Sequence, residues 1–134
     1  MAMNTNTVHD GISPSNEQSI FAMLEKVMLQ VGYQYFADVH FKRIDPLYKE
    51  LCLIIAETMF ANRDSVIKVN GEYIRAWLVH DVFSQIRNRH IQLVFDNFQN
   101  VTIRVANKKA YLRTALYNSV FEFQAHFVND MVQG

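Results

Sequence analysis

Apolar residues recur at three- and four-residue steps along most of this chain, which places them on single stripes of helices. The first stripe is Ile20, Leu24, Val27 and Val31, joined by Phe21 and Met28. Ser15 followed by Gln18 has the capping-box arrangement that opens such a helix, and Gly32 supplies a stop. From Tyr33 to Ile44 the pattern is aromatic and mixed, and it reads as irregular or short helical. Asp45-Pro46 is a second start signal, because Asp caps free N–H groups and Pro presets helical φ where no donor is needed. Leu47, Leu51, Ile54, Ile55, Thr58 and Met59 form the buried face that follows, with Cys52 beside it and Asn62 at the end.

The period then changes. Val66 to Val69 and Glu72 to Ile74 are short β-prone runs around Asn70-Gly71, a two-residue turn that tolerates positive φ, so a hairpin is expected with Ile67 and Val69 facing the helices. Helical spacing returns in Ala76–Ile86, through Trp77, Val79, Phe83 and Ile86, and in Asn88–Phe98, through Ile91, Val94, Phe95 and Phe98, with Asn88 as the cap between them. Two more helices are expected: Val105–Asn118, with Val105, Leu112, Ala115 and Leu116 apolar beside Tyr111, and Ser119–Val132, with Val120, Phe123, Phe127, Val128 and Met131. The pattern therefore predicts an all-α fold, a mostly helical bundle with one small β-hairpin near residues 66–74. Residues 1–14 are polar and aperiodic and read as a disordered leader or linker, which leaves 15–134 as a single helical domain.

Composition agrees. Half of the 134 residues are hydrophobic, including ten Phe and six Tyr, enough apolar bulk for one core. Two Pro and four Gly leave little punctuation for a many-stranded sheet. A single cysteine forms no intramolecular disulfide, and no secretory leader or run of about 20 apolar residues is present, so a cytoplasmic protein without membrane contact is expected.

Candidate chemistry is sparse. No two of His9, His40, His80, His90 and His126 stand at the spacing of a helical metal motif, and Cys52 lies in an apolar run that disfavours the thiolate. Neighbours such as His80 and Asp81 point in different directions on a helix. No phosphate-binding loop, dinucleotide fingerprint, nucleophile elbow or calcium loop occurs. The expectation is a protein that is not an enzyme, with no catalytic residues, metal or cofactor.

Charge is balanced overall but not locally. Residues 85–118 carry Arg87, Arg89, Arg104, Lys108, Lys109 and Arg113 against Asp96 alone, a balance of +5 in a chain of zero net charge. Either compensating carboxylates elsewhere in the fold meet these cations, or they form a patch that faces a partner. Lys109 and Arg113 stand one turn apart on the face opposite Leu112 and Leu116.

From Val66 onward the order hairpin, helix, polar turn, helix, then Asn107-Lys108-Lys109-Ala110-Tyr111-Leu112-Arg113-Thr114-Ala115-Leu116-Tyr117-Asn118, resembles the C-terminal domain of RepA-type replication initiators of plasmids and conjugative elements from low-GC Gram-positive bacteria. The last tract is also similar to the Tyr-and-Asn motif of the primosome protein DnaD, with Ser119 where that motif continues with Trp. The resemblance runs to about Met131 and extends more weakly back to Asp45. It implies an adaptor that binds a host replication protein of the primase or helicase apparatus through Arg104, Lys108, Lys109, Arg113, Tyr117 and Asn118, with at most weak DNA contact. Tyr117 and Asn118 would then shape the end of their helix.

Two other functions fit the same residues. A direct DNA-binding module would use the basic segment and weaken steeply with salt. A small ligand-binding helical domain or enzyme would line a pocket with its aromatic side chains.

Overall fold

The computed structural model describes residues 14–33, 46–99 and 107–133. Helix α1 (Pro14–Val31) opens on Pro14 rather than at the Ser15 capping box, and it ends where Gly32 takes φ +73°, a conformation that costs a residue with a side chain but not Gly. Helix α2 (Pro46–Phe60) starts on Pro46, as the Asp-Pro step predicts. It is the most enclosed element: Leu47, Tyr48, Leu51, Cys52, Ile54, Ile55, Ala56 and Thr58 are all buried.

Strands β1 (Val66–Val69) and β2 (Glu72–Arg75) pair antiparallel, with Val69 opposite Glu72 and Ile67 opposite Ile74. Both turn residues have positive φ, +55° at Asn70 and +77° at Gly71, the backbone whose twist matches that of the flanking strands. Val69 is fully buried and Ile67 and Ile74 pack against the core, so the hairpin docks on the expected face.

Helices α3 (Ala76–Phe83) and α4 (Asn88–Gln99) follow. The last carbonyl of α3 and one in the turn that follows find a donor in another helix: Gln30 Nε2, from α1, donates to Phe83 O at 3.1 Å and to Ile86 O at 2.9 Å. At the start of α4 the Arg87 amide donates to His90 Nδ1 at 2.8 Å, so the imidazole takes the place of the Glu or Gln that reaches back in a capping box. Asn88, expected as the cap, is instead the acceptor for the Tyr48 hydroxyl at 3.0 Å.

Helix α5 (Lys108–Gln133) is one continuous element of 26 residues. The expected break after Asn118 is corrected, since the helix runs through it. Asn107 is the cap, its Oδ1 accepting from Ala110 N at 3.1 Å. Between Lys108 and Gln133 the sequence has neither Gly nor Pro, and Ser119, buried, returns its hydroxyl to Leu116 O at 2.6 Å, an arrangement a helix tolerates. Val105 lies outside the described residues.

The core joins Val27 and Val31 of α1 to the inner face of α2, then to Val79, Phe83, Ile86, Ile91 and Val94, and closes with Leu112, Leu116 and Val120 of α5. Each fully buried aliphatic side chain contributes about 2 kcal/mol relative to exposure. Three aromatic expectations are corrected: Phe21 is 64 % exposed, Trp77 44 % and Tyr111 39 %. At about 100° per residue Phe21 stands roughly 120° around α1 from Val27, whereas Met23, one turn before Val27, takes the inward place. Trp77 is two residues from Val79 and so falls on the far side of α3. The architecture is a helical bundle with one two-stranded antiparallel hairpin. Among the described residues, no helix is long and apolar enough to cross a membrane.

Candidate functional site

The tract Asn107–Asn118 forms the cap and the first three turns of α5. Leu112 and Leu116 point into the core, and Ala115 and Tyr117 pack against it. The cations flank this apolar face instead of standing opposite it, the place expected from sequence: Lys109 lies about 20° around the helix from Leu116 and Arg113 about 60°, so the fold decides what they meet.

Lys108 Nζ lies 2.9 Å from Glu50 Oε1 and 5.6 Å from the centre of the Phe98 ring. Lys109 Nζ lies 3.1 Å from Glu57 Oε1. Glu50 and Glu57 stand two turns apart on α2, so this helix supplies a ladder of carboxylates beside the first turn of α5. Part of the local charge excess is therefore balanced inside the molecule. The four side chains remain between 37 % and 55 % exposed, and ion pairs so placed contribute at most about 1 kcal/mol each. They orient the lysines without committing them.

Arg113 is half-buried and, with Lys68 of β1, Glu57 of α2 and Ala61 just after it, lines a cleft of about 240 Å³. The other cations of the basic segment are occupied locally. Arg87 donates to Ser84 O and Ile86 O, both at 2.9 Å, and the Arg89 guanidinium lies 5.6 Å from the Phe123 ring centre. Arg104 lies outside the described residues.

Tyr117 and Asn118 sit within α5, not at its end, which corrects their expected role. Tyr117 stacks at a tilt on Phe121, with ring centres 5.2 Å apart. Asn118 exchanges two side-chain hydrogen bonds with Asn70: Asn70 Nδ2 donates to Asn118 Oδ1 at 3.0 Å, and Asn118 Nδ2 donates to Asn70 Oδ1 at 3.1 Å. The Asn70 amide also donates to Thr114 Oγ1 at 3.3 Å. The final Asn of the motif thus holds the hairpin turn against α5. Sequence reasoning missed this pairing because its two halves are 48 residues apart and nothing local announces either as a partner.

A second cleft, of about 230 Å³, opens between α4 and α5, bordered by Leu93, Asn97, Phe98, Tyr111, Ser119 and Glu122.

The other chemically reactive groups of the fold are held by burial or hydrogen bonding. Burial pushes the Cys52 thiol up to about 12, so it is protonated at neutral pH. Burial likewise raises the Tyr48 hydroxyl. His80 Nε2 lies 2.8 Å from Thr58 O. Among the described residues, no three His, Cys, Asp or Glu side chains are grouped to hold a metal ion.

No curated protein and no solved structure matches the chain. Residues 11–134 match the model of DUF6017, described as a family of unknown function.

Proposed function

The chain belongs to DUF6017, a family of unknown function, and on that premise we propose that it is a non-enzymatic adaptor domain that binds a host replication protein during replication initiation of a plasmid or conjugative element. The identity of the process comes from the resemblance of Asn107–Asn118 and the elements before it to RepA-type initiators, and the cytoplasmic location from the single cysteine and the lack of a secretory signal in the sequence. The observation that supports a binding role is the way that tract is mounted. Its apolar side is locked by Leu112 and Leu116, its hairpin side by the Asn70–Asn118 pair, and Lys108 and Lys109 of its first turn reach the surface beside the apolar face.

Lys108 and Lys109 already bind carboxylates, those of Glu50 and Glu57, so a partner whose acidic side chains replace these two makes the same kind of contact. Because each internal pair is half-exposed, the exchange costs little, and charge complementarity steers an acidic partner to this surface. Arg113 adds a planar fork suited to a carboxylate. Arg104, Tyr117 and Asn118 complete the set that the resemblance implies.

The test presents the purified chain to host primase, replicative helicase, single-stranded DNA and double-stranded DNA. Lys109→Glu with Arg113→Glu should leave the circular dichroism spectrum unchanged and lower capture of the protein partner about tenfold or more, the scale of two interfacial charges. Equal capture of the variant, or capture of neither protein alongside DNA binding that falls steeply with salt, overturns the adaptor reading.

A further inference from the structure

In this two-stranded sheet β1 pairs with β2 along one side only. In a two-residue hairpin the closing pair, here Val69 and Glu72, exchanges both of its backbone bonds, and bonded pairs alternate from there. Ile67 therefore bonds to Ile74, and Ser65 O, next in the series, accepts from Ala76 N at 2.8 Å. The residues between, Val66 and Lys68, turn their N–H and C=O groups away from β2.

Those groups face a built space. Val66, Ile67 and Lys68 form one wall of the 240 Å³ cleft, and Glu57, Ala61 and Arg113 stand opposite. The cleft is open to solvent and carries backbone donors and acceptors along one wall, which is what an added strand requires. Val66 is 50 % exposed at the mouth and offers an apolar contact.

Charge selects the occupant. Glu57 is engaged by Lys109, and among the described residues neither Lys68 nor Arg113 meets a carboxylate. The Lys68 ammonium is drawn over the Tyr73 ring at 5.7 Å from its centre, still at the surface. The cleft is therefore cationic beyond its internal compensation. The same Lys68 discourages pairing with a second copy of this edge, which would bring two lysines together.

We propose that the outer edge of β1 is a docking strand for an extended acidic peptide segment, which pairs with the backbone of Val66 and Lys68 and lays its carboxylates against Lys68 and Arg113. Alternate side chains of such a segment would point to the two faces of the hairpin, so an apolar–acidic alternation fits best: acidic residues on the outer face that Val66 and Lys68 share, apolar ones on the face of Ile67, toward Ala61. This surface does not depend on the replication reading.

The test titrates the isotope-labelled chain, followed by amide NMR, with a short peptide alternating Val and Glu. Three other probes serve for comparison: the same peptide with Lys in place of Glu, the Val/Glu peptide with N-methyl groups on the edge that would pair, and a short oligothymidylate. The Val/Glu peptide should move the Val66 and Lys68 amide signals and slow their exchange with solvent. N-methylation should abolish the effect, and Lys68→Glu with Arg113→Glu should weaken binding about tenfold or more. Equal binding of the Lys or N-methylated peptide, stronger displacement of the same signals by oligothymidylate, or no response to any probe at millimolar concentration overturns the proposal.

Discussion

His90 shows how one side chain can replace a local signal with a tertiary one. It is buried, its Nδ1 accepts the Arg87 amide, and its ring meets Phe123 edge-on at 4.9 Å between centres. Desolvation, with the charge of Arg89 next, lowers its pKa below the ordinary 6.5, and a nitrogen that accepts a hydrogen bond cannot also carry the added proton. The sign follows from linkage. The unfolded state takes up the proton at higher pH than the native state does, so the stabilisation is complete above about pH 6.5 and is lost as pH falls through the lowered native value. Urea midpoints should drop across that window. His90→Gln, whose side-chain oxygen can accept the same amide, should fold and flatten the dependence; an unchanged slope would mean that another group titrates. The sequence identifies a histidine here but not its burial, because Phe123 reaches it from another helix.

At the scale of elements, starts were readable wherever a residue type has one strong use. Pro46 begins α2, and Asn70-Gly71 closes the hairpin, because few residues satisfy those backbone geometries. The division expected at Asn118–Ser119 was wrong because it followed a motif boundary, while the helix follows hydrogen bonding and burial. The face of each helix was legible where aliphatic residues repeat and less so for large aromatics, since Phe21, Trp77 and Tyr111 match the period loosely and lie outward. The hairpin's docking gives the prediction that belongs here. Asn118→Ala removes both amide bonds to Asn70 and should cost about 1–2 kcal/mol at this exposed site. Gly71→Ala meets no neighbouring atom but keeps a positive φ, so it should cost about 1 kcal/mol through conformation alone. Hydrogen exchange at Val69 should accelerate in both variants; exchange unaltered by Asn118→Ala would show that the apolar contacts alone hold the hairpin.

For the whole molecule, the sequence located an excess of cations between residues 85 and 118, but only the packing of α5 on α2 showed what balances it. Glu50 and Glu57 lie more than fifty residues from their lysines, and their role as counter-charges has no local signature. The candidate surface is thus a two-helix arrangement of which the sequence displayed one half. Glu50→Gln with Glu57→Gln should lower stability by less than about 2 kcal/mol, as two half-exposed pairs are worth at most that. The same variant should bind the acidic partner more tightly, because an internal competitor has been removed. Weaker binding would place Glu50 and Glu57 in the contact itself.

Helix α5 packs on α2, α3, α4 and β1, and every one of these precedes it in the chain. During synthesis the apolar faces of those elements leave the ribosome without the cover that Leu112, Leu116 and Val120 later supply. A nascent chain halted short of Lys108 therefore displays an open half-core, the kind of surface that chaperones hold and proteases clear. Folding of this protein is consequently gated by arrival of the very tract that carries its candidate contact surface, so a molecule that has reached its native state has already presented that surface in place.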